Sequence, residues 1–316
     1  MGCAWSAPAK VIVFGEHWVV HGGLALAAAI GLRARAYGSP SESGLWVFSQ
    51  LYRIGENLME SCSRFCNLLA GFRLVASSYG RSLWPARIRI ESDIPVGAGL
   101  GSSAATALAA VAAYACVGGL EPGYDVLWRA AFEAEKVVHG NPSGVDNTVA
   151  LYGGFILYRR GSGFKRVEFR GMRDTRLLIV DSGVSRSTRI AVERFTVRLE
   201  RLGRLGRRLL ETADGIVEEA LAALSRGDSV RLGELMDVAH GLLNAMGVSH
   251  PVLEEIVWIA RREGALGAKL TGAGMGGTAI VLVDLEHASR VKKALELRGF
   301  RVYEVELGVP GLQGPV

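Results

Sequence analysis

"PVGAGLGSSAATALAAVAAYA", residues 95–115, runs from a glycine-rich turn straight into an alanine-dense stretch. Alanine has the highest intrinsic helix propensity, so a helix is predicted over 104–115. The preceding "ARIRIESDI" (86–94) alternates apolar and polar residues, the pattern of a half-buried strand. The unit is therefore strand, glycine turn, helix. Glycines at 97, 99 and 101 let the backbone fold closely round a ligand, and the first N–H groups of the helix point at it. With the helix dipole, Gly97, Ala98, Gly99, Leu100, Gly101 and Ser102 make a site suited to phosphate. Ser102 and Ser103 add hydroxyls where a metal or a phosphate oxygen would sit. The plainer alternative is a turn with serine caps. The lysine-bearing phosphate loop G-x-x-x-x-G-K-[ST] is absent, so a nucleotide held here is held without that lysine.

Outward from this unit the chain reads as α+β. "KVIVFGEHWVV" (10–20) reads as a strand interrupted at Gly15–His17, and "LALAAAIGLRARAYG" contains a second strand. A helix is predicted over 124–138 and a strand in "GGFILYRR" (153–160). After about residue 175 the character changes: the strand "RLLIVDSG" precedes long Arg/Glu/Leu helices over about 189–226, 229–245 and 251–263. The strand "TAIVLV" (278–283), a helix (286–298) and the strand "RVYEVEL" (301–307) follow. The length of 316 residues suits two domains, with the boundary near 165–180 and placed between residues 172 and 173.

Composition excludes several classes. Hydrophobic residues make up 49% and charged residues 21%, as in an ordinary globular protein with a full core. The apolar stretches 19–32 and 104–118 are too short or too interrupted to span a membrane. The net charge of +5 could point to nucleic acid, but the densest basic run, "RLERLGRLGRR" (198–208), spaces its arginines as a solvated helix face does. A mild positive excess also suits anionic small substrates. Cys3, Cys62, Cys66 and Cys116 are too sparse for a disulfide framework and lack partners for zinc, so all four are read as reduced thiols of a cytoplasmic protein.

Four further stretches carry chemistry. "TGAGMGG" (271–277) contains G-x-G-x-x-G, but a helix is predicted before it and a strand after it. A dinucleotide fingerprint needs the reverse order, so this is a close-backbone turn beside the first site. On the helix 124–138, Leu127, Ala130, Ala131, Ala134 and Val138 form the apolar stripe, and Glu133 points away from it. Glu135 lies at the edge of that stripe, where a carboxylate needs a metal or a paired arginine. Lys10 is the only lysine in the first 135 residues of an arginine-rich chain, and a compact ammonium suits a carboxylate or phosphate. "HGNPSGVDN" (139–147) sets one carboxylate, Asp146, in the midst of turn residues, either as turn chemistry or as a rigidly held reactive group.

Together these stretches resemble the GHMP kinases, the family of galactokinase, homoserine kinase, mevalonate kinase and phosphomevalonate kinase. "APAKVIVFGEHWVVHGGLALAAAI", "PVGAGLGSSAA" and "KLTGAGMGGTAIVL" resemble its three motifs, in order, over residues 7–283. "GEHWVVHGG" and "EKVVHGNPSGVDN" resemble the mevalonate kinase branch, of a prokaryotic type. The resemblance implies a ribosomal-S5-like first domain (1–172) and a ferredoxin-like second domain with extra helices (173–316). It implies Mg²⁺-dependent transfer of phosphate from ATP to the C5 hydroxyl of mevalonate, in isoprenoid precursor synthesis. By the same resemblance Asp146 takes the hydroxyl proton and Lys10 sits beside it and the reacting oxygen. Ser103 and Glu135 hold Mg²⁺, Gly97 to Ser103 wrap the triphosphate, and Glu16, His17, Thr188, Gly272 and Ala273 contact or position substrate. Expected partners are ATP and mevalonate, without nucleic acid or membrane, with a homodimer as the assembly. Alternatives are phosphomevalonate kinase, a mevalonate 3-kinase, or a silent sensor of ATP and metabolite. Met275 departs from the third motif, which usually has glycine there.

Overall fold

In the computed structural model of the chain, residues 2–140, 142–169, 174–185 and 187–314 are described. The predicted boundary between residues 172 and 173 lies outside them. β1 (Cys3–Phe14) and β2 (Leu24–Pro40) form a long antiparallel pair. They are followed by β3 (Leu45–Ser49), β4 (Ile54–Asn57), α1 (Cys66–Ser78), β5 (Ala86–Ser92), α2 (Ser102–Val117), α3 (Tyr124–His139), α4 (Val145–Tyr152), β6 (Phe155–Arg159) and β7 (Gly163–Val167). These strands make one sheet in the order β4-β3-β5-β2-β6-β7, with β1 along β2.

The alanine run of β2 is explained by burial on both faces. Leu26, Ala28 and Ile30 join the core that contains α2, while Ala27 and Ala29 pack with Val145 and Val149 of α4. A strand covered on both sides loses its polar alternation. α2 is buried nearly all round: from Ala104 to Ala115 every residue but Thr106, which faces the cleft, is buried. Small side chains let its neighbours come close: a Cβ on Gly71 of α1 would stand 2.8 Å from the Val111 side chain.

The second sheet contains β8 (Thr175–Asp181), β9 (Gly267–Thr271), β10 (Thr278–Asp284) and β11 (Arg301–Val305). Its order is β11-β8-β10-β9, antiparallel throughout. Counted from β8 this is 4-1-3-2, and helices α8 (Pro251–Arg262) and α9 (Leu285–Glu296) occupy the two crossover positions. That is the β-α-β-β-α-β ferredoxin-like arrangement. The extra helices α5 (Thr188–Leu202), α6 (Arg204–Arg226) and α7 (Ser229–Ala245) precede α8. The α+β expectation is therefore met.

Several details differ from the sequence reading. β1 starts at Cys3, so Lys10 is interior to the strand, and the chain leaves it at Gly15. Gly15 has φ +92°, and a Cβ there would sit 2.1 Å from the Leu24 carbonyl oxygen. No other residue fits so tight a reversal, and "WVVH" forms a 3-10 turn, Trp18–His21, instead of continuing the strand. The helix predicted over 189–226 breaks at Gly203, φ +52°. The arginines of 198–208 are exposed on the two resulting helices. β9 precedes the glycine turn 272–277, where a helix was predicted; because β10 follows, the turn still opens no helix.

The reading of four reduced thiols is corrected. Cys3 pairs with Cys116 and Cys62 with Cys66. Packing of α2 on the β1–β2 pair brings Cα atoms 113 residues apart to 5.6 Å, a disulfide distance that sequence spacing could not reveal. Among the described residues no helix is long and apolar enough to cross a membrane. After β11 the chain returns to the first sheet, where Gln313 pairs with Ser6 and Val309 accepts from Gly154.

Candidate active site

The loop from β5 to α2 alternates positive φ at Gly97 (+75°), Gly99 (+75°) and Gly101 (+73°). This winding closes a concave run of backbone that ends at the N-terminus of α2, where helix N–H groups have no intrahelical acceptor. Ala98 and Leu100 are buried and anchor the loop. The Thr278 hydroxyl of β10 donates to the Ala98 carbonyl at 3.0 Å, and the Lys10 N–H donates to the Leu100 carbonyl at 2.8 Å. The loop lines a cleft of about 460 Å³ that also contains Ser102, Ser103, Glu135 and Asp146.

Lys10 and Asp146 meet at this cleft. The Lys10 ammonium lies 3.2 Å from Asp146 Oδ1. Lys10 comes from the interior of β1, and Asp146 from the first turn of α4, which starts after Gly144 at φ +81°. The turn that ends at Gly144 thus delivers the Asp146 carboxylate from a helix N-terminus. Gly101 touches both partners: a Cβ there would be 3.0 Å from Lys10 Cγ and 3.4 Å from Asp146 Oδ2. Glycine loop, lysine and carboxylate converge on one point.

Glu135 extends from α3 toward the same point and is 3% exposed. Burial pushes its carboxyl above the usual range, while a hydrogen bond with Ser103 pulls it down. His139 Nε2 stands 3.5 Å from Glu135 Oε2, so the expected arginine partner is replaced by a serine and a histidine. Glu135 Oε1 is buried and has no hydrogen-bond partner. Glu133 is on the outer side, paired with Lys136 at 2.7 Å, as its place on the helix predicted.

The first and third glycine turns also meet. His17 Nε2 donates to the Ala273 carbonyl at 2.8 Å, and the ring stacks on Phe195 of α5 at 4.8 Å. Burial lowers the His17 pKa to about 4, so the ring is neutral near pH 7. Its Nδ1 is therefore an acceptor, buried and without a partner. Glu16 is buried and paired with Lys269 of β9. Thr188 is exposed in the first turn of α5, and no hydrogen bond among the described residues ties it to this group.

Residues 67–154 match the GHMP kinases N terminal domain and residues 220–300 match GHMP kinases C terminal. Mevalonate kinase of Aeropyrum pernix is 41% identical over 300 residues, covering 92% of this chain and 90% of its own. The chain belongs to the GHMP kinase family. Among solved structures, the Methanococcus jannaschii mevalonate kinase has a TM-score of 0.86 at 26% identity, covering 96% of this chain and 98% of its own. L. major mevalonate kinase, solved in complex with R-mevalonate, has a TM-score of 0.82 at 32% identity, with 96% and 95% covered.

Membership of the GHMP kinases implies a divalent cation at this cleft, and the residues present fit one. The orphaned Glu135 oxygen and the Ser103 hydroxyl offer hard oxygen donors. Among the described residues no group of three or more His, Cys, Asp or Glu could hold a metal unaided. Mg²⁺ characteristically uses one or two carboxylates and completes its shell with phosphate and water. Sequence reasoning missed Lys269, which pairs with Glu16, and Phe195, which supports His17. Lys269 carried the same signal as Lys10, a rare lysine in an arginine-rich chain.

Proposed function

We propose that this protein transfers the γ-phosphoryl group of ATP to the C5 hydroxyl of (R)-mevalonate, giving 5-phosphomevalonate and ADP. The observation that carries the chemistry is the Lys10–Asp146 pair at 3.2 Å, set against Gly101 at the end of the glycine loop. The choice of mevalonate rests on relatives such as the Aeropyrum pernix enzyme and on the L. major structure with R-mevalonate.

Phosphoryl transfer passes through a loose transition state, so catalysis is mainly positioning and neutralisation of charge. The loop from Gly97 to Ser103 and the α2 N-terminus cradle the triphosphate. Asp146 accepts the proton of the C5 hydroxyl as that oxygen bonds to the γ-phosphorus. The bond to the β,γ-bridging oxygen breaks and ADP leaves. The Lys10 ammonium steadies the developing alkoxide. Ser103 and Glu135 would hold Mg²⁺, which supplies neutralisation of the phosphate charge when bound. His17 Nδ1 offers an acceptor to a substrate hydroxyl, with Gly272 and Ala273 closing that side.

Lys10, Glu135 and Asp146 are all present, which argues against a silent sensor. We place the enzyme in the cytoplasm, where its nucleotide is made; intracellular disulfides are well known in hyperthermophilic archaea and bacteria. ADP release with mevalonate, phosphomevalonate, homoserine and galactose tests the substrate. Strong release with mevalonate is expected. Release with galactose or phosphomevalonate but none with mevalonate overturns the assignment.

A further inference from the structure

Lys269 and Glu16 form a fully buried ion pair, with side chains 0% and 1% exposed. The Lys269 ammonium also donates to the Leu270 carbonyl at 2.8 Å. Burial pushes the Glu16 carboxyl up and the Lys269 ammonium down, and the attraction between them opposes both shifts. Desolvating two charges costs about as much as their attraction returns, so such a pair is weak evidence for stability. Fixing the register of two elements is the better-attested role.

The pair joins two elements that must be in register for the site to exist. Glu16 lies in the reversal after β1, and Lys269 lies in β9, just before the glycine turn at 272–277. Between the same two segments, the Thr271 hydroxyl donates to the Ile12 carbonyl at 2.8 Å and His17 donates to Ala273. His17 itself sits at φ 61°, ψ −47°, outside the common regions for a residue with a side chain. Such a conformation persists only where its surroundings over-determine it. Phe195 holds the ring from one side, and Glu16 is the residue on the other side of the strained peptide.

We infer that Lys269 is a positioning residue for phosphoryl transfer: by holding the buried Glu16 carboxylate it fixes the Gly15–His17 reversal, so that His17 faces the acceptor substrate. Glu16 then acts by position and makes no substrate contact of its own. The inference rests on the kinase reading above, and it concerns the acceptor side of the site. The triphosphate side is tied separately, through Thr278 and Lys10.

The test uses the full chain, Lys269→Met, and the neutral pair Glu16→Gln with Lys269→Met. Steady-state rates give KM for mevalonate and for ATP separately. Hydrogen exchange of the unliganded proteins, read over residues 12–24, reports the reversal without any substrate. In Lys269→Met the mevalonate KM should rise on the order of tenfold to a hundredfold, as misplacement by about an ångström does, with the ATP KM within about twofold. Exchange over 12–24 should quicken. The single variant leaves a carboxylate buried alone and can be poorly folded; the neutral pair removes that penalty and should recover thermal stability. Recovered stability with a mevalonate KM still raised supports positioning. A mevalonate KM that returns to the parent value with stability makes the pair purely structural and overturns the inference, as does unchanged exchange in Lys269→Met. A parent that fails to turn over mevalonate defeats the substrate reading alone, because the exchange measurement still decides the latch.

Discussion

Replacing Asp146 by Asn keeps the size and turn preference of the side chain but removes its capacity to take a proton. Loss of a general base lowers kcat by about 10²–10⁴-fold, or about 2.7–5.4 kcal/mol of barrier. Lys10→Met acts on the same oxygen. At 3.2 Å, two unit charges in an effective dielectric of about 20 attract by about 5 kcal/mol, an upper bound because Asp146 is 35% exposed and partly screened. A loss on the order of 10²-fold for Lys10→Met is consistent with that bound. Because both groups serve one proton transfer, the double variant should fall far short of the product of the single losses, by about 1.5–3 kcal/mol of coupling. The assay is ADP release at saturating ATP and varied mevalonate, with kcat and KM separated. KM should change only a few-fold in each variant, since these interactions grow in the transition state. A kcat for Asp146→Asn within a few-fold of the parent would remove Asp146 as the base. Strict additivity in the double variant would show that Lys10 and Asp146 act independently, despite their contact.

Four further outcomes follow from the structure. Glu135→Gln should raise the Mg²⁺ concentration for half-maximal rate by more than about tenfold; an unchanged titration would return Glu135 to a structural role. Its carboxyl is raised by burial, so the stability it contributes is present at low pH and lost as pH rises through the folded pKa; without metal at pH 7 the Gln variant should melt no lower than the parent. Met275 sits at φ 57°, so Met275→Val should cost more than about 1 kcal/mol in a urea titration, while Met275→Gly stays within about 1 kcal/mol of the parent; the opposite ranking would contradict the strained turn. Replacing Cys3 and Cys116 by Ala opens a loop of 113 residues and should cost about 2–4 kcal/mol with kcat unchanged, and equal stability in denaturant would show that the bridge does not form.

The sequence was most informative where local chemistry and tertiary structure agree. The alternating "ARIRIES" became β5 with its apolar residues inward, and the alanine helix became α2. β9, "GAKLT", escaped notice because all five residues are buried, so neither alternation nor a purely apolar run marks it. α4 was hidden behind turn residues, and only the geometry shows that a helix capped by Gly144 starts at Val145, one residue before Asp146. The site was legible as separate motifs, and the structure brings Lys10 beside Asp146 with Glu135 lining the same cleft. What could not be read was which residues face which. Glu16 was read as contacting or positioning substrate, and only the structure shows that its carboxylate turns inward to Lys269, 253 residues away in sequence. The Cys3–Cys116 bridge was unreadable for the same reason, because only the packing of α2 on β1 brings the two together.

The most direct measurement is the structure of the product. The purified protein is incubated with ATP, Mg²⁺ and C5-labelled (R)-mevalonate, and the mixture is followed by phosphorus and carbon NMR. The expected result is one new phosphate monoester, coupled to C5, formed in step with ADP while the C3 hydroxyl stays free. Asp146→Asn should form the same ester at a rate lower by about 10²-fold or more. An ester at C3, or ADP formed without any mevalonate ester, would contradict the assignment of this site as a C5-directed mevalonate kinase.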